Sequence, residues 1–293
     1  MQTKKDIQAL LAGVATLPKK RFGQCFLIDL NLLAKVVDEA ELSGVETVLE
    51  VGPGTGSLTE ELLARARQMV AVEVDTDLAG ILRTRFEGRE RLTLIEGDVL
   101  AGKHAISPTV LEAVEPKACL VANLPYNIAT PLVAECLIES WRSLLSDGVR
   151  FERLTFTVQE ELAQRLVASE GRDYGPVSVL VALLGQAKLG TFIPASAFWP
   201  APKVASRVVR IDFDPVAAER IGDIMLLRRV LDMAFSQRRK RILTTAKARG
   251  APVDPKQFAV ALDQAGINPD TRPDHVAPEA YLRLIEAIKK NDE

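Results

Sequence analysis

Four times between residues 47 and 141 the chain runs from a short apolar segment, through a turn of glycine, acid or proline, into a helical pattern. The apolar segments are residues 47–51, 69–72, 92–95 and 118–122. Runs this short and this continuously hydrophobic read as strands covered on both faces, and strand-then-helix repetition makes them parallel. The expected fold class is therefore α/β, a doubly wound sheet. Such sheets bind ligands beyond the carboxyl ends of their strands, so the residues that follow each strand are the ones to read for chemistry.

The first strand breaks at Gly52-Pro53-Gly54-Thr55-Gly56, ahead of the helical pattern Leu58-Leu62-Leu63. Glycine has no Cβ, so such a loop lets the backbone approach a ligand at a helix N-terminus, although a tight strand-to-helix turn uses the same residues. A nicotinamide-type fingerprint would need a glycine where Ser57 stands, and the Lys-Ser/Thr pair of a P-loop is missing. The second strand delivers Glu73 and Asp75, where an acid accepts hydrogen bonds from ribose hydroxyls. Loop, acid and flanking strands together favour a nucleoside ligand. After the third strand, Asp98 can take the exocyclic amine of an adenine or close an Asx turn. The fourth strand runs straight into Asn123-Leu124-Pro125-Tyr126. An amide oxygen, a stiffened backbone and an aromatic face at one strand end make a seat for a flat ring that bears an amine.

Before the repeats, Lys19-Lys20-Arg21-Phe22-Gly23-Gln24-Cys25-Phe26-Leu27 places a basic run against two aromatics in a loop, with a helix starting near Asp29. After them, strands are expected at residues 153–158, 186–193 and 203–213, a helix at 159–169 and an apolar element at 176–184. The proline-stiffened loop between Pro194 and Pro202 carries Phe198 and Trp199, which either cover a sheet edge or stack on a base. Beyond Pro215 the strand patterns stop, and helices are expected at 221–236, 238–249, 255–265 and 278–289. The expected organisation is a domain over residues 1–214 and a helical one over 215–293. Arg238-Arg239-Lys240-Arg241, continuing to Lys247 and Arg249 with no acid between Ser236 and Gly250, is a solvated face or a phosphate-contact site.

With 293 residues, 47% of them hydrophobic, the chain can bury a large core. No apolar run approaches the roughly 18 residues of a membrane span, and the first residues lack a signal-peptide layout, so a cytoplasmic protein is expected. Cys25, Cys119 and Cys136 at unrelated spacings suggest reduced thiols, and His104 and His275 form no cluster, so no metal is expected. The formal charge of −2 means that a surface for nucleic acid has to be local.

Taken together, Phe22-Gly23-Gln24-Cys25-Phe26-Leu27, Glu50 to Gly56, Glu73, Gly97-Asp98, Asn123-Leu124-Pro125-Tyr126, Phe198 ahead of Pro200-Ala201-Pro202-Lys203-Val204, and Phe235-Ser236-Gln237-Arg238-Arg239-Lys240 stand in a distinctive order. This order resembles that of the ribosomal RNA adenine dimethyltransferases, over nearly the whole chain and closest to the bacterial small-subunit type. The resemblance implies a Rossmann-like class I methyltransferase sheet with a smaller helical C-terminal domain. It implies S-adenosyl-L-methionine as methyl donor, and as substrate two adjacent adenosines near the 3′ end of small-subunit rRNA or of a pre-30S particle, each dimethylated at N6. Carried over residue by residue, it places Gln24, Cys25, Leu27, Gly52, Gly54, Glu73, Asp98, Val99 and Asn123 around the donor. It places Asn123, Leu124, Tyr126 and Phe198 at the target base, with Tyr126 and Phe198 as the two faces of a base clamp. Arg238, Arg239, Lys240 and Arg241 fall to RNA binding, and a monomer is assumed. The family usually carries Asn at the position of Cys25 and Asp at that of Ala205, so at Cys25 only a backbone contact is expected to survive. A large-subunit or DNA amino-methyltransferase would share the Asn-x-Pro-Tyr logic, and a ribosome-assembly or transcription factor could keep the fold for binding alone.

Overall fold

The computed structural model describes residues 2–44, 46–102, 104–125, 127–248 and 250–292, so that Tyr126 and Arg249, both singled out above, lie outside the described residues. A two-residue strand, β1 (Phe26–Leu27), precedes the repeats, which supply β2 (Thr47–Val51), β3 (Gln68–Glu73), β4 (Leu92–Glu96) and β5 (Lys117–Asn123). They are followed by β6 (Arg150–Gln159), β7 (Gly185–Ile193), β8 (Phe198–Trp199) and β9 (Ser206–Phe213). Seven of these form one sheet in the order β4-β3-β2-β5-β6-β9-β7, and β1 pairs separately with β8. The run from β4 to β6 is parallel, while β9 lies antiparallel to β6.

Burial explains the apolar runs. Every residue of β2 is buried, as are residues 118–122 of β5, because helices cover both faces of central parallel strands. The chain winds outward from β2 through β3 to β4, then returns to the other side of β2 with β5 and β6. The order reverses between β2 and β5, and at that switch point the carboxyl ends of two neighbouring strands open a crevice. Gly52 to Gly56 leave the end of β2, and Asn123 ends β5.

The described residues divide into two compact units, residues 1–163 with 187–213, and residues 164–186 with 214–293. Sequence order alone assigns 164–186 to the first. Yet helix Pro176–Leu184, whose Val177, Val179, Leu180, Val181, Leu183 and Leu184 are all buried, packs on helices Ile224–Phe235 and Pro278–Asp292 of the second. A helix apolar on nearly every side needs cover from several neighbours, and chain order does not say which. In the same unit Phe235 lies 5.9 Å from the ring of Tyr174 and 6.1 Å from that of Tyr281.

The helix expected over 238–249 does not form. Residues 236–239 turn, and among the described residues of the stretch only Ile242–Thr245 is helical. The hydroxyls of Thr244 and Thr245 donate to the carbonyls of Arg241 and Ile242, both at 2.7 Å, side-chain bonds that compete with helix continuation. Among the described residues no helix is long and apolar enough to cross a membrane.

Candidate functional site

The glycine loop adopts a backbone that other residues resist. Gly52, Gly54 and Gly56 have φ of +69°, +64° and +86°. A Cβ on Gly54 would stand 3.0 Å from Phe26 Cε1, and one on Gly52 would stand 3.4 Å from the ring of Pro125. The loop is thus pressed between β1 and the segment after β5. Its shape is held from β3, where Glu73, 3% exposed, accepts the N–H of Gly54 at 3.0 Å on Oε2 and that of Asp75 at 2.9 Å on Oε1. Burial raises the Glu73 carboxyl above its ordinary range, an effect that the backbone donors oppose without cancelling.

Beside this loop opens a cleft of about 320 Å³. Gln24, Cys25, Leu27, Gly52, Gly54, Glu73, Asp98, Val99, Asn123 and Leu124 all line it. The sequence had dispersed these residues over a hundred positions, and the switch point gathers them.

Their side chains differ in how free they are. Gln24 accepts the Lys19 N–H on Oε1 and donates from Nε2 to Asp75, each at 2.7 Å, so both ends of its amide already hold protein partners. Asp75, which also takes the Lys19 ammonium at 2.6 Å, is the buried anchor of this corner. Asp98 closes an Asx turn through Oδ1, which accepts the Leu100 N–H at 2.9 Å, and it also faces the cleft; the two readings of this residue are compatible. The half-buried Cys25 contributes its backbone, whose carbonyl accepts Asn123 Nδ2 at 3.1 Å, while burial raises its thiol pKa.

Asn123 is held at both ends. Cys25 C=O is an acceptor only, so Nδ2 must face it, and Oδ1 accepts the hydroxyl of Thr157 on the neighbouring β6. The backbone of Leu124 is tied to the same residue, its N–H donating to Thr157 C=O at 3.3 Å.

Phe198 is not at the cleft. It pairs with Leu27 across β1 and β8, is 3% exposed, and packs in the core with Leu33, Val36 and Val37. In this structure its ring is buried among these side chains rather than presented to a base. The basic quartet is also divided. Arg238 donates to the carbonyls of Arg172 and Tyr174, at 2.7 and 2.5 Å, and Arg241 pairs with Asp270 at 2.8 Å, while Arg239 and Lys240 are exposed.

Three residues outside the expected set join the site: Thr157, Glu50 and Val74. Thr157 carried no local signal, since its importance comes from strand register. Glu50 did carry one, as the single acid in an otherwise apolar strand. It is 1% exposed, lines the cleft, and its Oε2 has no hydrogen-bond partner, while burial and the nearby Glu73 charge push the carboxyl up to about 8. Val74, 44% exposed beside Glu73, adds an apolar wall. Among the described residues no group of three or more His, Cys, Asp or Glu is arranged to hold a metal ion.

Comparison with known proteins places this arrangement. A solved dimethyladenosine transferase from Plasmodium falciparum shares the fold at a TM-score of 0.70, with 23% identity over 91% of this chain and 98% of that one. The 23S rRNA methyltransferase ErmE follows at a TM-score of 0.58, with 26% identity over 90% and 99%. The seven-stranded mixed sheet is therefore that of the class I methyltransferases. The chain is 39% identical over 280 residues to the ribosomal RNA small subunit methyltransferase A of Synechococcus sp. (strain CC9311), covering 94% of this chain and 96% of that protein. Against the protein of the same name from Chromobacterium violaceum it is 35% identical over 274 residues, covering 93% and 96%. The family model for ribosomal RNA adenine dimethylase matches residues 16–290, and the chain belongs to that family.

Proposed function

We propose that this protein dimethylates the N6 amines of two adjacent adenosines near the 3′ end of small-subunit rRNA, with S-adenosyl-L-methionine as the methyl donor, during assembly of the small ribosomal subunit. The observation that carries this reading is the junction of two half-sites in one cleft, a glycine cradle with acids after β2 and β3, and a rigidly held Asn123 after β5.

The cleft suits the donor residue by residue. Glu50 offers an unsatisfied carboxylate oxygen to its ammonium. Glu73, although it holds the backbone N–H groups of Gly54 and Asp75, keeps acceptor capacity for a ribose hydroxyl. Asp98, with Val74 and Val99 as apolar walls, suits an adenine and its amine. When bound, the donor supplies an electrophilic methyl on a sulfonium. Gly54→Ala is expected to lower donor affinity about 10-fold or more, read by calorimetry, because the new Cβ combines an αL conformation with contact against Phe26.

What the protein must add is position. The N6 lone pair of adenine is delocalised into the ring, so the amine is a poor nucleophile. Asn123 Oδ1 and Leu124 C=O accept its N–H bonds, favour a pyramidal nitrogen and aim the lone pair. Pro125 restricts Leu124 and lacks an N–H of its own, which keeps that carbonyl still. No tuned general base is required at the outset, since the proton leaves after nitrogen has become cationic. Tyr126 is assigned to stacking on the extruded base, worth about 1–3 kcal/mol.

RNA phosphates are assigned to Arg239 and Lys240 rather than to the whole quartet, because Arg238 and Arg241 already hold protein partners. Replacing Arg239 and Lys240 by Glu is expected to flatten the slope of log affinity against log salt by about 1.5, at 0.7–0.9 per phosphate contact. An unchanged slope would make this face merely solvated. The direct test of the functional reading is methyl transfer to undermethylated small-subunit particles with mapping of the modified base.

A further inference from the structure

Thr157 lies on β6, one strand away from the reacting end of β5, and is 1% exposed. The register pairs it with Asn123, although 34 residues separate them in sequence. It touches the side chain of one acceptor that the proposed chemistry needs and the backbone of the residue that carries the other. Its hydroxyl donates to Asn123 Oδ1, and its carbonyl accepts the N–H of Leu124 at 3.3 Å. The opposite end of the Asn123 amide is fixed by Cys25 C=O at 3.1 Å.

A primary amide on a short side chain has a weak preference between its two faces, and a reversed Asn123 would present N–H donors to a target that is itself an N–H donor. Cys25 C=O opposes that reversal from one side. A hydroxyl, however, can donate or accept, and it donates here because Oδ1 is the end turned toward it. The bond uses one lone pair of Oδ1 and leaves the other for the substrate. It also limits swing of the amide about the side-chain torsion, a displacement that the Cys25 contact alone would permit.

We infer that Thr157 is a positioning residue for methyl transfer, which holds the Asn123 side-chain amide in the orientation that receives the target amine and anchors the Leu124 backbone N–H beside it. The inference rests on the functional reading above. It also accounts for Cys25, because the contact at that position is made by the backbone carbonyl and survives a change of side chain.

Thr157→Val keeps shape and burial but removes the hydroxyl, and Thr157→Ser restores it. The full-length variants are compared for kcat and KM in methyl transfer to undermethylated small-subunit particles, for donor affinity by calorimetry, and for the Asn123 side-chain amide by ¹H–¹⁵N NMR. Thr157→Val is expected to lower kcat roughly 10- to 100-fold, with donor affinity within about 2-fold of the parent. Its Asn123 NH₂ signals are expected to broaden or shift, and Thr157→Ser is expected to recover most of kcat and the parental spectrum. Normal kcat in Thr157→Val, or a serine variant as slow as the valine one, would overturn the positioning role while leaving the functional reading standing. A parent protein that methylates no small-subunit particle would instead overturn the functional reading, and the role in that reaction with it.

Discussion

Asn123→Ala is expected to lower methyl transfer by at least about 10²–10³-fold while donor binding weakens only a few-fold. The size follows from the loss of a preorganised group aimed at the reacting atom, which costs that much where it has been removed from other active sites. The asymmetry follows from geometry. The donor half of the cleft is built by the loop between Gly52 and Gly56, by Glu73 and by Glu50, and none of these hydrogen-bonds to the Asn123 side chain. Truncation leaves Cys25 C=O and the Thr157 hydroxyl without their partner, a local defect next to the target seat. Tritiated methyl incorporation and equilibrium dialysis with the donor separate the two effects. Near-normal turnover would remove Asn123 from the reaction.

Glu50→Gln is expected to act in opposite directions on stability and on binding. The folded-state carboxyl is raised to about 8 against an ordinary 4.5. An acid raised by folding costs nothing below its unfolded pKa, and it destabilises progressively as pH rises through the window between the two values. The cost grows by about 1.4 kcal/mol per pH unit there. The ligand-free parent should therefore lose melting temperature between pH 5 and pH 8, and Glu50→Gln should remove much of that loss, melting several degrees higher at pH 7.5 and equally at pH 4.5. The same change withdraws the counter-charge from the donor's ammonium, and donor affinity is expected to fall about 10- to 100-fold. Because a cation pulls the carboxyl pKa down, binding to the parent near pH 7 should release a proton, seen as a buffer-dependent calorimetric enthalpy that Glu50→Gln abolishes. A variant no more stable than the parent at pH 7.5, binding the donor equally well, would contradict the role given to this buried acid.

The parts of the fold legible in sequence were those with a local cause. Residues 47–51 and 118–122 are apolar because they are covered on both faces, and the glycines after β2 are there because the backbone turns through positive φ. Glu73 and Asn123 were legible for the same reason, each standing at the end of such a strand. Features set by pairing at a distance were not legible. Phe198 shares a motif with prolines that stiffen its loop, and only its packing in one cluster with Leu33, Val36 and Val37 shows that the ring is buried. Gln24 lines the cleft as expected, but that Asp75, 51 residues away, holds its amide is visible only in the fold. Thr157 gave no sign at all, because its neighbour is chosen by β5–β6 register. The basic stretch after Ser236 failed as a helix for a subtler reason, since Thr244 and Thr245 bond back to nearby carbonyls and the run of cations carries no apolar periodicity to anchor it.

The central claim is that one cleft brings a methyl donor to the N6 of adenosine in small-subunit rRNA. It is tested most directly by incubating the protein with tritiated S-adenosyl-L-methionine and, separately, undermethylated 30S particles, undermethylated 50S particles and DNA, then mapping the labelled base. The account predicts label in the 30S particles only, as N6,N6-dimethyladenosine at two adjacent positions near the 3′ end of the RNA. Label in 50S particles or DNA, on another base, or in none of the three would contradict it.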